Sequence, residues 1–425
     1  MTAPGGRRNG SSFGVLLRRR GFRTLLAGQT ISSLGDWTGT VAFMALVLDR
    51  SGSSTAVGGI LALRLLPGAV GGPLAARAAS RWDRRRTMVS MDLTRAGMVA
   101  LVPLVEQLWW IYLWAFCLEV ASLVFLPARD ASIADLVEPE DLPLANGLVL
   151  GTSYGTIPLG AALFATVAAL PASDVLGRTY ALVFLVDAAS FLWSAALVAR
   201  LTHLARAAGT RGGGGAAAGE LRFRAAFRIP LVQAVMPATV AVAGGLGALF
   251  SLGIVFVREV LGATDTEFGV LIALFGIGAV TGLQLLRTAG DLDGLAATRA
   301  GLVVLGAVVA GFSLAPAVWI AYLGAVAFGA AATWTLASGM GTLQSRLEGA
   351  ERVLAFSAFH VVVRLALALS AIGAGLAGEL LGDVRWPILG TLEPARVVLL
   401  CSGTLVVLSA GRVRGHEPAA GEEPA

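Results

Sequence analysis

A chain of 425 residues that is 56% hydrophobic and only 14% charged, with a mean hydropathy of +0.77, carries more apolar surface than a water-soluble core can hide. The formal charge of +5 comes from a sequence without a single lysine. Its arginines stand beside apolar stretches, where they report membrane topology and not nucleic-acid binding. Cys117 and Cys401 both fall inside apolar stretches, which excludes a disulfide framework and a cysteine metal site.

Hydrocarbon cannot satisfy bare backbone N–H and C=O groups, so a spanning helix needs roughly 20 mostly apolar residues. Twelve such segments are predicted. The first six lie near 24–49, 54–78, 87–107, 109–128, 147–170 and 179–200. The second six lie near 230–257, 267–287, 298–315, 317–338, 354–381 and 394–411. The first span lacks a small-residue cleavage pattern and is long enough to stay inserted, so no cleavable signal peptide is expected.

Most arginines fall on the face that holds both ends of the chain, which makes both termini cytoplasmic. The clusters that decide this are Arg18, Arg19, Arg20 and Arg23 before helix 1, then Arg81, Arg84, Arg85 and Arg86 between helices 2 and 3, then Arg222, Arg224 and Arg228. Residues 12–23 read as a short surface helix whose arginines meet anionic headgroups.

The chain also repeats itself. Gly59 to Arg77 aligns without gaps on Gly269 to Arg287 and shares a Gly-Ala-Val-x-Gly core, and Gly209 to Gly219 forms a flexible break at the midpoint. The expected organisation is therefore a cytoplasmic segment at 1–23, a six-helix bundle at 24–201, a cytoplasmic linker at 202–228, a second six-helix bundle at 229–412 and a cytoplasmic tail at 413–425. Six crossings give both bundles the same orientation, related by an axis along the membrane normal. The fold class is all-α integral membrane, with twelve transmembrane helices in two pseudo-symmetric bundles.

Ionisable groups near mid-bilayer cost about 2.5–3.5 kcal/mol each on insertion scales and normally face protein or water. Four sit near the middle of their spans: Asp36, Arg64, Glu119 and Arg364. Asp36 is the expected proton-titrating or cation-contacting carboxylate, with Glu119 as a second candidate. Arg64 is the expected counter-charge, and a permanent Asp36–Arg64 brace between helices is the structural alternative. His360 and Arg364 lie four residues apart on one helix face and could meet an anionic substrate group or a proton. Asp92 and Arg95, closer to the arginine loop, point to bracing or gating; Asp187 is left open. Trp37, Tyr154, Phe275 and Trp334 are deep enough to line a cavity, whereas Trp109, Trp110 and Trp386 fall at span ends, where tryptophan anchors at the interface.

Several short motifs are similar to those of the major facilitator superfamily, in particular its drug and metabolite exporters of the macrolide-efflux and enterobactin-exporter type. They are Gly35-Asp36-Trp37, Arg64-Leu65-Leu66-Pro67, Ser80-Arg81-Trp82-Asp83-Arg84-Arg85-Arg86, Asp92 to Arg95, Pro127-Ala128-Arg129 and Ala145-Asn146. The resemblance implies that the loop after helix 2 is the family's gating turn. Here Ala76 replaces its first glycine and Ser80 its acid, while Arg81, Asp83, Arg84 and Arg85 stand in the loop, so a weaker charge network is expected. Gly155 to Ala162, with Pro158, resembles a decayed form of the glycine-proline motif of family antiporters, whose small residues and proline permit close packing and a bend.

The expected function is a secondary transporter in a bacterial cytoplasmic membrane, a proton-coupled exporter of an amphipathic drug or secondary metabolite, acting as a monomer. A proton gradient is the expected energy source; no cofactor, metal or nucleic acid is expected. No Walker motif, HExxH or Cys/His cluster is present in the sequence. An importer or lipid flippase on the same scaffold, and a non-transporting sensor, are the rivals. An enzyme is not expected, because Ser338 and His360 would be its only nucleophile and base and no acid supports them.

Overall fold

The computed structural model describes residues 13–70, 82–105, 107–138, 141–170, 180–201, 225–288, 294–347, 349–386 and 390–413. They are almost wholly helical: α1 (Phe13–Arg18), α2 (Arg20–Ser51), α3 (Ser54–Val70), α4 (Arg84–Leu101), α5 (Leu108–Leu136), α6 (Leu142–Gly155), α7 (Ile157–Ala168) and α8 (Ala181–Ala199). Then come α9 (Pro230–Val255), which runs into a π-helical turn at Phe256–Val260, α10 (Asp265–Thr288), α11 (Gly294–Ser313), α12 (Val318–Arg346), α13 (Gly349–Leu380) and α14 (Pro394–Ser409). Between α13 and α14 lies a hairpin absent from the sequence reading, β1 (Val384–Trp386) against β2 (Gly390–Leu392), antiparallel with Arg385 opposite Thr391.

Ten helical stretches among the described residues are long and apolar enough to cross a membrane, against the twelve expected. The other two expected spans are α3, whose described part is shorter, and α4, which carries Arg84, Arg85, Arg86, Asp92 and Arg95. The fifth expected span is broken at Thr156, because Pro158 has no N–H to donate and its ring would clash with the preceding turn. Large apolar side chains stay on the outside, among them Leu159, Ile277, Leu323, Leu369 and Leu408, each more than half exposed. That is the surface lipid demands.

Two compact units emerge. One comprises Met1–Ala42, Val70–Glu106 and Leu113–Gly212. Its core gathers Leu16, Phe22, Leu25, Met88, Phe125, Ile133 and Val198. Around its arginine-rich loop, Asp83 caps α4 by accepting from Arg86 N–H at 2.9 Å, and Arg84 pairs with Asp135 at the end of α5. Arg85 reaches the Ala199 carbonyl, in the last turn of α8, at 3.5 Å. Such a cation complements the unpaired carbonyls of a helix end. Asp135 thus supplies an acid to this loop, 51 residues away from Arg84 in the chain. Ala76, Ser80 and Arg81 lie outside the described residues.

The second unit comprises Phe43–Ala69, Gln107–Tyr112 and Gly213–Ala425, so the end of α2 and all of α3 up to Ala69 group with the later helices. Its core gathers Val232, Val242, Leu302, Leu305, Phe328, Leu343 and Val406. Bare backbone carries much of its packing: a Cβ on Gly278 would collide with the Val326 carbonyl, one on Gly282 with that of Ala330, and one on Gly329 with that of Phe275. Lipid offers helices no hydrophobic reason to associate, so close approach through small residues replaces it, and filling such a contact costs about 1–3 kcal/mol. The same device seats α3 on α13, where a Cβ on Gly58 would meet the Ala371 carbonyl and one on Gly375 that of Ser54. At that end Glu379 caps α3, accepting from Ser53 Oγ, from Thr55 N–H at 3.0 Å and from Thr55 Oγ1 at 2.8 Å. Arg258 joins Asp49 at 2.7 Å and Asp265 at 3.3 Å.

Candidate functional site

The Gly35-Asp36-Trp37 triplet of α2 sends its three residues to three neighbours. Gly35, with Gly39 one turn on, has no side chain because the Asp187 carboxylate and Ser190 of α8 fill that space; Asp187 is 1% exposed. Trp37 donates its indole N–H to the Ser153 carbonyl of α6 at 3.0 Å. Just beyond it, Thr38 donates to the Gly160 carbonyl of α7 at 3.0 Å, where a Cβ on Gly160 would collide with Trp37. The break at Thr156 therefore aims two short helices at α2, and Pro158 lies in the first turn of the second.

Asp36 faces α4. Its Oδ2 lies 4.0 Å from Nη1 of Arg95, and its side chain is 29% exposed against 5% for Arg95 and 0% for Asp92. Arg95 is held in place from several sides. It pairs with Asp92 three residues earlier on α4, and its guanidinium carbon lies 4.3 Å from the Phe125 ring centre and 4.4 Å from that of Phe191. Ser122 Oγ stands 3.5 Å from Nη1. A guanidinium between two aromatic faces gains from the ring quadrupoles, most strongly where water is excluded. Arg95 is thus a fixed cation that one buried carboxylate already shares, and Asp36 is the half-accessible carboxylate beside it. Glu119, half-buried on α5, belongs to the same unit.

Arg64, Arg364, Phe275 and Trp334 belong to the second unit. Arg64, expected as the partner of Asp36, belongs to the second unit, where its guanidinium carbon lies 5.5 Å from the Phe43 ring centre. Arg364 is in that unit too, and its guanidinium occupies the place a Cβ on Gly68 would take. Phe275 packs on Phe328, ring centres 5.5 Å apart, and Trp334 donates to the Ala297 carbonyl at 2.9 Å, so both join helices of the second unit. The side chains of Tyr154 and His360 lie outside the described residues. Among the described residues no group of His, Cys, Asp and Glu could hold a metal ion.

Sequence reasoning did not name Phe125, Phe191 and Ser122 as neighbours of Arg95, nor Asp187 as a neighbour of the triplet. Only the Asp92-x-x-Arg95 spacing carried a local signal, since residues three apart share a helix face.

A family model described as Major Facilitator Superfamily matches residues 25–371. Among curated proteins, the uncharacterized MFS-type transporter YfiS of Bacillus subtilis (strain 168) is 34% identical over 119 residues, 28% of this chain and 28% of that protein. Macrolide efflux protein A of Streptococcus pyogenes is 28% identical over 171 residues, 38% of this chain and 42% of that protein. The chain thus matches less than half the length of these relatives. Solved structures resemble it along almost its whole length. A bacterial homolog of the human lysosomal transporter Spinster, inward-facing and unoccupied, gives a TM-score of 0.74 at 17% identity, covering 93% of this chain and 96% of that one. The nucleoside transporter NupG gives 0.72 at 13% identity, covering 92% and 97%. At such identities the likeness concerns the fold alone.

Proposed function

We propose, from the premise that this chain belongs to the Major Facilitator Superfamily, that it is a secondary transporter which couples inward proton movement to export of an amphipathic drug or metabolite. The observation that carries the coupling is the pairing of Asp36, 29% exposed, with an Arg95 that Asp92, Phe125 and Phe191 hold in place. A cation fixed in this way cannot leave when the site changes state. The variable charge is then on Asp36, which can hold or release a proton as water reaches it from one side or the other. Removing that proton leaves a carboxylate against Arg95; adding it leaves Arg95 to Asp92 alone.

Export is the favoured direction because of the partial likeness to macrolide efflux protein A. The chain would act as a monomer in a bacterial cytoplasmic membrane with both termini inside. Inverted membrane vesicles, supplied from outside with the labelled amphipath that cells lacking the protein accumulate most, test direction. With the vesicle interior made acidic, uptake into the vesicles should exceed that of protein-free controls. Uptake only in right-side-out vesicles with an acidic exterior would identify an importer instead.

A further inference from the structure

We propose that Arg364, seated in the Gly68 notch of α3, is the docking point for an oxyanion, so that the transported amphipath carries a carboxylate or phosphate. This rests on transport being the chain's activity and adds the chemistry of the cargo. The internal repeat makes the notch visible. Gly68 and Gly278 are equivalent positions of the two Gly-Ala-Val-x-Gly segments, and each leaves room for something. At Gly278 the space is taken by the backbone of Val326, an ordinary close helix contact. At Gly68 it is taken by the guanidinium of Arg364. The first half has spent its glycine on admitting a cation.

Among the described residues that cation has no protein anion to answer it. Arg364, half-buried near the middle of α13 and four residues into its apolar span, makes no hydrogen bond and no ion pair among the described residues. The helices packed around it offer no remedy. α3, α9 and α12 contain no acid, and on α13 the nearest acids are Glu351 and Glu379, each about 20 Å along the helix at 1.5 Å per residue. Glu379 is already committed to Ser53 and Thr55. Asp49 is joined to Arg258. Arg64 lies one turn before Gly68 on α3, so the nearest ionisable side chain on that face adds a second positive charge. A guanidinium that merely braced two helices would reach a carbonyl or a carboxylate; among the described residues this one reaches neither. Arginine presents a planar fork that binds carboxylate or phosphate with two parallel hydrogen bonds, and such charge-assisted pairs are strong where water is scarce.

The test is binding to the purified full-length protein in phosphatidylcholine nanodiscs, with three probes of one shape: naphthoate, neutral naphthamide and cationic naphthylmethylammonium. Wild type should bind naphthoate at least about tenfold more tightly than naphthamide, a difference of about 1.4 kcal/mol. Arg364→Gln should lose that preference and Arg364→Lys should keep most of it, with the thermal unfolding of both unchanged. Anion preference that survives in Arg364→Gln, a wild type that favours naphthylmethylammonium, or one that does not bind naphthoate overturns the assignment. Substituting phosphatidylglycerol for part of the lipid separates two sources of the anion: unchanged naphthoate binding means cargo fills the notch, whereas weakened binding means a lipid headgroup does and overturns the cargo chemistry. Binding needs no proton gradient. Loss of flux with the anion preference intact therefore counts against the transport reading alone, and intact flux without the preference counts against this site alone.

Discussion

Asp36→Asn should reduce gradient-driven flux to the level of vesicles that lack the protein, while the variant is still made and inserted. Asparagine matches aspartate in shape and keeps one accepting oxygen, but it can neither release nor accept a proton. Asp36 is the half-accessible member of the group around Arg95, whereas Asp92 is fully buried and already paired. Removing the charge at Asp36 leaves that buried pair whole, so folding should survive. Two measurements on one preparation check this: accumulation of the labelled amphipath under an imposed pH difference, and thermal unfolding. Wild-type accumulation by the variant would remove Asp36 from the coupling step.

Arg95→Ala should behave differently and fail more completely. It strands the Asp92 carboxylate, 0% exposed, without its partner and opens the space between Phe125 and Phe191. Breaking a buried ion pair from one side costs about 3–5 kcal/mol, because the remaining charge is left uncompensated. A large fall in unfolding temperature together with loss of flux is the expected result. Arg95→Lys keeps the charge without the planar stack or the two-pronged reach to Asp92, so it should fall between wild type and Arg95→Ala. Replacing Asp92 and Arg95 together by leucine should restore much of the stability lost in Arg95→Ala without restoring flux. If Arg95→Ala unfolded at the wild-type temperature, the guanidinium would not be the fixed cation described here.

The contrast between these variants follows from what was and was not legible in the chain. Apolar length located the spans, because the need to satisfy backbone groups in lipid is local and strong. Pro158 was read as permitting a bend in a continuous fifth span, where the helix in fact breaks at Thr156, and the Gly35-Asp36-Trp37 triplet drew attention to α2. What the triplet does was not legible. Its partners, Asp187, Arg95 and Ser153, come from three other helices, and no period in the sequence encodes which helix faces which. Arg95 was not expected beside Asp36, because depth along a helix says nothing about the direction in which a side chain points. Likewise Asp135 had no visible tie to Arg84, and the loop's missing acid at Ser80 suggested a weaker network. The hairpin at Val384–Trp386 and Gly390–Leu392 was missed because strands of three residues are too short to show an alternating pattern. Trp386 was assigned to a span end on its side chain alone.

The grouping of α3 with later helices had no sequence signal either. Glycine-for-backbone contacts between α3 and α13 gather Phe43–Ala69 with the later helices, although the midpoint linker and the repeat point to a division near residues 202–228. Small residues are abundant throughout, with 54 glycines in the chain, so no single one announces a contact. Among the described residues the pairing of Gly68 with Gly278 in the repeat singles out a position where the two halves use the same space differently.

Proton movement during transport tests the central claim most directly. The purified protein is placed in proteoliposomes with a pH-sensitive dye inside, and the gradient is supplied by the labelled amphipath alone. Wild type should shift the internal pH as the compound moves, in the sense opposite to its flux, and Asp36→Asn should leave the pH unchanged. Compound flux through the wild type with no accompanying pH change, or an equal pH change in Asp36→Asn, would contradict the account.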